Sequence, residues 1–452
     1  MARTIAANSF INGLVLLLST SFMAFAQPTN PAPSYTPTPK LSSELSVEEL
    51  AKRKAWRSNM LKTPTPKHGC FHLTYPNTEW QEVPCRIAPD VPYPMRTPPL
   101  PDDVGGLAGD FAAQVAGSIS TAIGLLDTDT SISENGPGGA NDFALQLNTN
   151  QFDTRMCTPP PPTPQSPSCK GWQQFIFSNF KNGGFIQYWL IGYFDNRATC
   201  SAGGVDVEHG GCCPSGWKPS PPAPGIFGGC YLNGPMSSPP TPLVTLTAEA
   251  LADLNLVGRV TADSDTVVLW TDTQNLYKGD GLGNILNLAG NWKDVEFNIV
   301  GDGNASKATF SDGSTINVRI DVGGNATCAT PPTGLTAESN NLTIVKGRSG
   351  PCCTWTGNDG EGGIMFTESN VAGAKSSCGG GKQCLPVGSS CSITGTGCCN
   401  TFGLTACQHG VCAALTSPPS CNGVPRPTQS CSPHLGWHCC DTDGWVCGQC
   451  QN

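Results

Sequence analysis

The residues with the clearest chemical potential are polar side chains set inside strongly apolar strands. Glu296 lies between Val295 and Phe297, and the alternation of a strand puts it on one face with Asn298. Amide side chains occur in the same kind of setting at Gln146, Asn148, Gln173, Gln174 and Gln187. Partial burial raises the pKa of a carboxyl group toward the range useful in general acid–base catalysis, and a glutamine amide can donate to an oxyanion.

If these polar faces belong to one sheet, they line a concave groove made of one carboxylate and several amides. Glu296 would then be suited to general acid–base work, and glutamines such as Gln173 and Gln174 would carry amides able to donate to an oxyanion. The remaining groove residues are Gln187, Gln146, Asn148 and Asn298. The alternative is that these are ordinary residues on the solvent face of a sheet, with Tyr188 and Trp189 packing in a core.

Metal and cofactor chemistry is not indicated. The sequence has no H-E-x-x-H, no G-x-S-x-G and no P-loop motif, and it contains six histidines. His68 and His72 are four residues apart, but the intervening Gly69 and Cys70 disfavour a helix that would bring them together. We therefore predict no metal site and no cofactor. The net charge of -9 gives no reason to expect nucleic acid or an anionic membrane as a partner.

The elements that must position these residues are short strands. Turn sequences such as Asn182-Gly183 and Asp312-Gly313 separate apolar or alternating runs, and the 53 glycines and 40 prolines disfavour long helices. Strands are predicted at 111–115, 143–147, 175–177, 185–191, 266–270, 295–299, 315–320, 342–345 and 363–367. This pattern predicts a mainly β protein, an antiparallel β-sandwich or jelly roll with two small disulfide-rich C-terminal modules.

The chain divides by composition into five segments. They are a signal peptide (1–26), a Pro-rich linker with one helix (27–67), a β-sandwich domain (68–378) and two cysteine-rich modules (384–412 and 421–450). Ala24-Phe25-Ala26 gives the signal peptide its cleavage pattern. Ser46 and Glu49 form a capping box, and the helix should end near Leu61; it is either a solvated N-terminal helix or a removable pro-segment. We expect a secreted, extracellular monomer with no membrane span in the mature chain.

The 24 cysteines indicate an oxidising compartment. Their spacing predicts the local bridges Cys70–Cys85 and Cys157–Cys169. From Cys384 the spacing C-x6-C-x6-CC-x7-C-x4-C resembles the knottin family, and a looser copy begins at Cys421. The resemblance implies the pairs Cys384–Cys399, Cys391–Cys407, Cys398–Cys412, Cys421–Cys440, Cys431–Cys447 and Cys439–Cys450.

Three N-x-S/T sequons lie in the predicted β-domain. They begin at Asn304, Asn325 and Asn341, each in a turn or at a strand edge. In a eukaryotic host we expect these asparagines to be glycosylated.

Three stretches of the β-domain resemble the glutamic peptidases of the eqolisin type. They are WQQFIF (172–177), FIQYWLIGY (185–193), and VEFNIVGD (295–302) followed by KATFSDGSTINV (307–318). The resemblance implies a β-sandwich endopeptidase made with a pro-segment and active at acid pH. It implies Glu296 as the general base on water, and Gln173 or Gln174 as the oxyanion donor. The stretch from Gly69 to Cys85 also resembles a group of uncharacterised secreted microbial proteins, which implies no activity.

Two functional hypotheses follow. In the first, the protein is a secreted acid endopeptidase of glutamic type acting on polypeptides. In the second, it is a non-catalytic secreted or cell-surface protein whose sandwich and knottin-like modules bind glycan, cell wall or a protein partner. The position of Glu296 distinguishes them, because the enzyme needs it beside a glutamine in a groove and the binding protein does not.

Overall fold

The structure is a computed structural model, and it describes most of the region from residue 47 to residue 376. The described residues are 47–95, 111–128, 132–136, 138–157, 169–193, 213–220, 226, 228–238, 248, 251, 254–270, 275–323, 325–329, 338–345, 352–356, 362–374, 376 and the backbone of 405–408, 411–414, 420–421, 424–425, 438–441 and 444–447. The signal-peptide prediction lies outside these residues. We number the strands β1–β26 in chain order.

Two large antiparallel sheets make up most of the described β-rich region. The first contains β1 (Cys70–Thr74), β2 (Gln81–Val83), β4 (Thr121–Thr128), β12 (Asn255–Val260), β13 (Asp265–Trp270), β14 (Asn275–Asp280), β16 (Thr315–Asp321), β18 (Thr343–Ile344), β19 (Cys352–Thr356) and β20 (Gly362–Ser369). Its order is β18-β20-β16-β4-β12-β13-β14-β1-β2, with β19 also on β20. The mainly β, antiparallel fold class predicted from the sequence is confirmed.

The second sheet carries the candidate site. It contains β3 (Ala112–Gln114), β7 (Phe143–Thr149), β8 (Lys170–Ser178), β9 (Gly183–Ile191), β10 (Lys218–Ser220), β11 (Gly229–Asn233), β15 (Asp294–Gly301) and β17 (Thr327–Ala329). Its order is β10-β11-β9-β8-β7-β15-β3-β17. A small hairpin of β5 (Asn135–Gly136) and β6 (Gly139–Ala140) and a 3₁₀ turn (Arg155–Cys157) complete the domain.

The two sheets pack face to face, and glycines in the first sheet let them approach closely. A Cβ atom on Gly124 of β4 would lie 2.3 Å from the ring of Phe297, and one on Gly258 of β12 would lie 2.5 Å from the ring of Phe175. Phe175 and Phe297 are fully buried members of one large apolar cluster. Because strand side chains alternate, residues next to them in sequence point away from the first sheet, onto what we call the outer face of the second sheet.

The predicted helix is present as α1 (Val47–Lys62). Trp56 and Met60, one turn apart, are buried on the outer face of the first sheet, against residues such as Val257 and Trp270. The Trp56 indole also donates to the carbonyl of Asn77. The helix therefore has one buried side, and it covers the sheet that does not carry Glu296.

Disulfides hold several of the irregular segments. Both predicted local bridges, Cys70–Cys85 and Cys157–Cys169, are present, and Cys213–Cys230 and Cys328–Cys352 join them. The C-terminal modules contain three short antiparallel pairs: β21 (Thr405–Gln408) with β22 (Val411–Ala414), β23 (Ser420–Cys421) with β24 (Val424–Pro425), and β25 (His438–Asp441) with β26 (Gly444–Cys447). The knottin-like pairings concern side chains outside the described part of the structure.

No helix in the described part of the chain is long and apolar enough to cross a bilayer.

Candidate functional site

Strand register brings five polar residues into one line across the second sheet. Glu296 on β15 is directly opposite Asn148 on β7, which is opposite Gln174 on β8. Gln174 is opposite Gln187 on β9, and Gln187 is opposite Asn233 on β11. We call these five residues the polar row. Four of them were predicted from the sequence as site or groove residues, and Asn233 was not.

The polar row is shielded from solvent. Glu296, Asn148, Gln174 and Gln187 each have 0% of their surface exposed, and Asn233 is half-buried. Buried amides are normally hydrogen-bonded, and the bonds among the amides of the row give these side chains a defined geometry.

Hydrogen bonds join the amides to one another. The Gln174 Nε2 donates to Gln146 Oε1 and to Asn148 Oδ1, both at 2.9 Å. The Asn148 Nδ2 donates to Asn298 Oδ1 at 2.7 Å. Gln146 and Asn298 are themselves opposite each other, two residues along the strands from Asn148 and Glu296. All four predicted groove residues therefore lie on the same outer face as Glu296.

A tryptophan fixes the glutamine oxygens. The Trp189 Nε1 is shared between Gln174 Oε1 at 3.0 Å and Gln187 Oε1 at 2.9 Å. Each amide is thereby oriented with its oxygen toward Trp189, which leaves its NH2 group to point elsewhere. This assigns both amide orientations from the hydrogen-bond pattern.

The two candidate oxyanion donors point in opposite directions. Gln173 faces the first sheet, where its Nε2 donates to Asp265 Oδ2 at 3.0 Å. Gln174 faces outward and belongs to the polar row. The alternation of β8 thus separates Gln173 from Glu296 by the thickness of the sheet. Both side chains are buried, so the Gln173–Asp265 contact is an interior hydrogen bond, and burial raises the pKa of Asp265 to about 7.

A short extended segment, residues 86–95, lies over the Gln187 end of the polar row; we call it the strap. Gln187 Oε1 accepts from the backbone N–H of Tyr93 at 2.7 Å, and its Nε2 donates to the carbonyl of Val91 at 3.0 Å. The Nδ2 of Asn233 donates to the carbonyl of Pro89 at 2.8 Å. The polar row therefore already binds polypeptide main chain in this structure.

Two side chains anchor the strap. The Tyr93 hydroxyl donates to Asp302, which also accepts from Ser178 Oγ at 2.9 Å, and burial raises the pKa of the Asp302 carboxyl. Met95 is fully buried in an aromatic cluster that includes Trp172 and Trp189. Sequence reasoning did not find the strap, because its prolines were typical of an irregular segment.

A pair of buried carboxyl groups lies beside the part of β15 that extends past its short pairing with β3. Glu338 and Glu368 are both fully buried with their carboxyl groups close enough to interact, and the backbone N–H of Ile299 donates to Glu338. Burial raises the pKa of Glu368 to about 7, and two carboxyl groups this close cannot both ionise at low cost. Glu368 shares a strand face with Ile364 and Phe366, and this placement was a sequence signal that could have identified it.

The described residues contain no cluster of three or more His, Cys, Asp or Glu side chains that could hold a metal ion. His72 stacks on Tyr277 and contacts Asn275, while His68 lies near Asp280.

The three sequons differ in accessibility. Asn304 and Asn325 are exposed. The Asn341 amide instead binds the backbone of Phe310 in both directions, accepting at 2.7 Å and donating at 2.8 Å. Glycosylation stays a prediction for all three, and it fits Asn304 and Asn325 without loss of an internal contact.

Comparison with known proteins gives no relative: no family model, no curated protein and no solved structure matches this chain.

Proposed function

We propose that the protein is a secreted acid endopeptidase of glutamic type, with Glu296 as the general base and Gln174 as the oxyanion donor. The observation that carries the proposal is the polar row, which puts a buried carboxyl and a buried amide on one face of one sheet. The same row binds a stretch of main chain through Gln187 and Asn233, which supports a polypeptide as the substrate.

Spacing across the sheet is compatible with these roles. Glu296 and Gln174 are separated by one strand, so their Cα atoms are about 10 Å apart. Asn148 lies between the two side chains and bonds both Gln174 and Asn298. In the proposed complex the water and the scissile carbonyl take up the space between Glu296 and Gln174, and the oxyanion replaces one of the two present acceptors of the Gln174 Nε2, Gln146 and Asn148.

In the proposed reaction the Glu296 carboxylate removes a proton from water as the water oxygen attacks the scissile carbonyl carbon. The carbonyl oxygen becomes an oxyanion and accepts a hydrogen bond from the Gln174 amide. The protonated Glu296 then returns its proton to the leaving nitrogen, the C–N bond breaks, and a carboxylic acid and an amine are released. Glu296 ends as a carboxylate, ready for another water.

Buried carboxyl groups support operation in acid. Burial raises the pKa values of Glu134, Asp265 and Glu368 to about 7 each. These three carboxyl groups are neutral in acid. Lowering the pH therefore removes no negative charge from them that the fold needs. The four bridges of the described region and the predicted signal peptide are consistent with secretion.

The test is cleavage of denatured casein by the purified mature protein from pH 2 to pH 7, with Glu296→Gln beside wild type. We expect cleavage at acid pH that is lost in Glu296→Gln while the fold, followed by circular dichroism, is retained. Glu134→Gln is the matched control. Glu134 is a buried glutamate, and burial raises its pKa to about 7, so glutamine reproduces the neutral form that Glu134 has at acid pH. Cleavage that is absent at every pH, or is indifferent to Glu296, would refute the proposal.

An aromatic cluster favours the second candidate, a non-catalytic binding protein. The rings of Trp172, Trp189 and Tyr231 lie side by side on the outer face, with centroid separations of 6.1 and 5.5 Å. These rings are buried with Met95 packed among them, so they could stack on a sugar ring or an apolar side chain only after the strap has left. Saturable binding of glycan or cell wall, unaffected by Glu296→Gln and without any casein cleavage, would select this candidate.

A further inference from the structure

The strap is bound to the polar row in the way that one peptide group binds another. The single carboxamide of Gln187 bonds both the carbonyl of Val91 and the N–H of Tyr93. These are residues i and i+2 of an extended chain, the same pair of groups that a neighbouring β-strand would engage. Because Gln187 binds only main-chain groups, this contact does not select the type of side chain at position i+1, which is Pro92 here.

Side-chain specificity comes from two sites on either side of that contact. Tyr93 packs on Phe185, with ring centroids 6.0 Å apart, and places its hydroxyl on Asp302. Met95 lies among Trp172 and Trp189, where Gln151 donates to its sulfur at 3.1 Å. One site therefore suits an aromatic residue with a polar tip, and the other suits a long unbranched apolar residue two positions later.

The strap is stiff and only partly packed. Pro89, Pro92 and Pro94 fix φ and favour an extended backbone, which lowers the entropy lost when the segment lies in the groove. Cavities of about 440 and 510 Å³ flank it, and Ile87 at its start is 93% exposed. Displacing this segment would break its two side-chain anchors, the backbone pair of Arg86 with Met236 and the bond from the N–H of Asn304 to the carbonyl of Pro92.

We infer that residues 86–95 are an internal ligand of the groove and that this segment must leave before an external polypeptide can bind. The sequence of the segment then indicates the class of external ligand: an extended peptide with an aromatic residue followed two positions later by a long apolar residue. The inference rests on the proposed function for the use of the groove. Its tests measure binding as well as cleavage.

The binding test uses a fluorescein-labelled peptide with the sequence of residues 86–95, added to full-length protein that carries Glu296→Gln so that the probe is not cut. Tyr93→Ala removes the aromatic anchor of the strap. Because a tethered competitor acts at an effective concentration in the millimolar range, we expect Tyr93→Ala to bind the probe at least about ten-fold more tightly than the protein with the native strap. A probe with both its tyrosine and its methionine replaced by alanine should bind neither protein.

Ile87→Ala is the control within the strap, because Ile87 is exposed and should leave probe affinity unchanged. Equal affinity of the native and Tyr93→Ala proteins for the probe, or binding by neither, would overturn the inference. Tyr93→Phe, which keeps the packing and removes only the bond to Asp302, covers the case in which Tyr93→Ala does not fold. For it we expect several-fold faster amide hydrogen exchange across residues 86–95 than in Ile87→Ala, and equal exchange would also overturn the inference.

Casein cleavage with Glu296 intact separates this inference from the proposed function. Probe binding that rises in Tyr93→Ala, with no casein cleavage by any variant, rejects the peptidase and keeps the strap as an internal ligand. Casein cleavage at equal rates by wild type and Tyr93→Ala keeps the peptidase and rejects the strap as a cover.

Discussion

The outer faces of the two sheets are covered in different ways. On the first sheet, α1 lays Trp56 and Met60 on apolar residues such as Val268 and Trp270. On the second sheet, the strap buries Tyr93 and Met95 and also binds the polar row through hydrogen bonds to amide side chains. Burial of large apolar side chains contributes several kcal/mol to folding, whereas a hydrogen bond that water can replace contributes about 1 kcal/mol. The first sheet therefore has an apolar, structural cover, and the second sheet has the mixed cover that we inferred above to be exchangeable.

The largest effect should come from the structural cover. Trp56→Ala removes a buried indole between α1 and the first sheet, and we expect the free energy of unfolding to fall by about 3–5 kcal/mol. Urea denaturation followed by tryptophan fluorescence and circular dichroism measures it. Lys52→Ala, at an exposed position of the same helix, should change stability by less than about 0.5 kcal/mol. An unchanged midpoint for Trp56→Ala would show that α1 is not part of the cooperative fold.

The next largest effect should come from substitutions on the two faces of β8, where Gln174 lies on the outer face and Gln173 on the inner face. Gln174→Leu removes the proposed oxyanion donor, and we expect kcat for peptide cleavage to fall by about 10²–10³-fold. Gln173→Leu changes the adjacent residue on the inner face, and cleavage should persist because only its bond to Asp265 is lost. Both are measured on casein and checked by thermal unfolding. The reverse pattern, with Gln173 essential and Gln174 dispensable, would move the site away from the polar row.

The pH dependence of stability should expose the Glu338–Glu368 pair. The folded-state pKa of Glu368, about 7, lies above the ordinary value of 4.5, so the folded protein binds a proton that the unfolded chain releases. Its contribution is complete below about pH 4.5 and is lost as the pH rises to about 7, and it is on the order of 3 kcal/mol. The midpoint of urea denaturation should therefore fall as the pH is raised from 4 to 8.

Glu368→Gln should flatten part of that fall, because glutamine keeps a donor for Glu338 and does not ionise. Glu134 and Asp265, whose pKa values are also about 7, should account for the remainder. Glu82→Gln, at an exposed site, serves as the control and should follow wild type. A wild-type curve that rises between pH 5 and pH 8 would show that the buried pair is not protonated in the folded state.

The smallest effect concerns a single anchor of the exchangeable cover. Tyr93→Phe removes one hydrogen bond to Asp302, and we expect a loss of about 1 kcal/mol confined to local opening of the strap. Global unfolding in urea should be nearly unchanged, while hydrogen exchange across residues 86–95 should accelerate. A loss of global stability as large as that of Trp56→Ala would erase the distinction between the two covers.

Local pattern was enough to predict the strands of the site but not their order. The apolar runs around Gln146, Gln187 and Glu296 predicted β7, β9 and β15, because a strand buried on both faces needs apolar neighbours. The contact of Asn148 with Glu296 joins residues far apart in the chain, and only register in the folded sheet creates it. The alternation of strand side chains predicted that Gln173 and Gln174 lie on opposite faces of the sheet. It could not predict which of the two lies on the outer face.

Other parts were missed for identifiable reasons. Asn233 lies in a short strand after a Gly/Pro-rich stretch, where the turn residues concealed its pairing with Gln187. β4 and β12 contain Gly124 and Gly258, which lower strand propensity but are required by the phenyl rings against them. The Glu338–Glu368 pair depends on a tertiary contact between a loop and a strand, which no local pattern encodes.

The bridge from Cys70 to Cys85 has a topological consequence. These are the only two cysteines before Cys157, and they pair with each other, so the part of the chain up to the strap shares no disulfide with the rest. Breaking one peptide bond between residues 96 and 110 would yield a two-chain molecule. The small chain, with α1, β1, β2 and the strap, would be held to the large chain only by non-covalent contacts: strand pairing, packing and hydrogen bonds. Such chains separate in denaturant without any reducing agent.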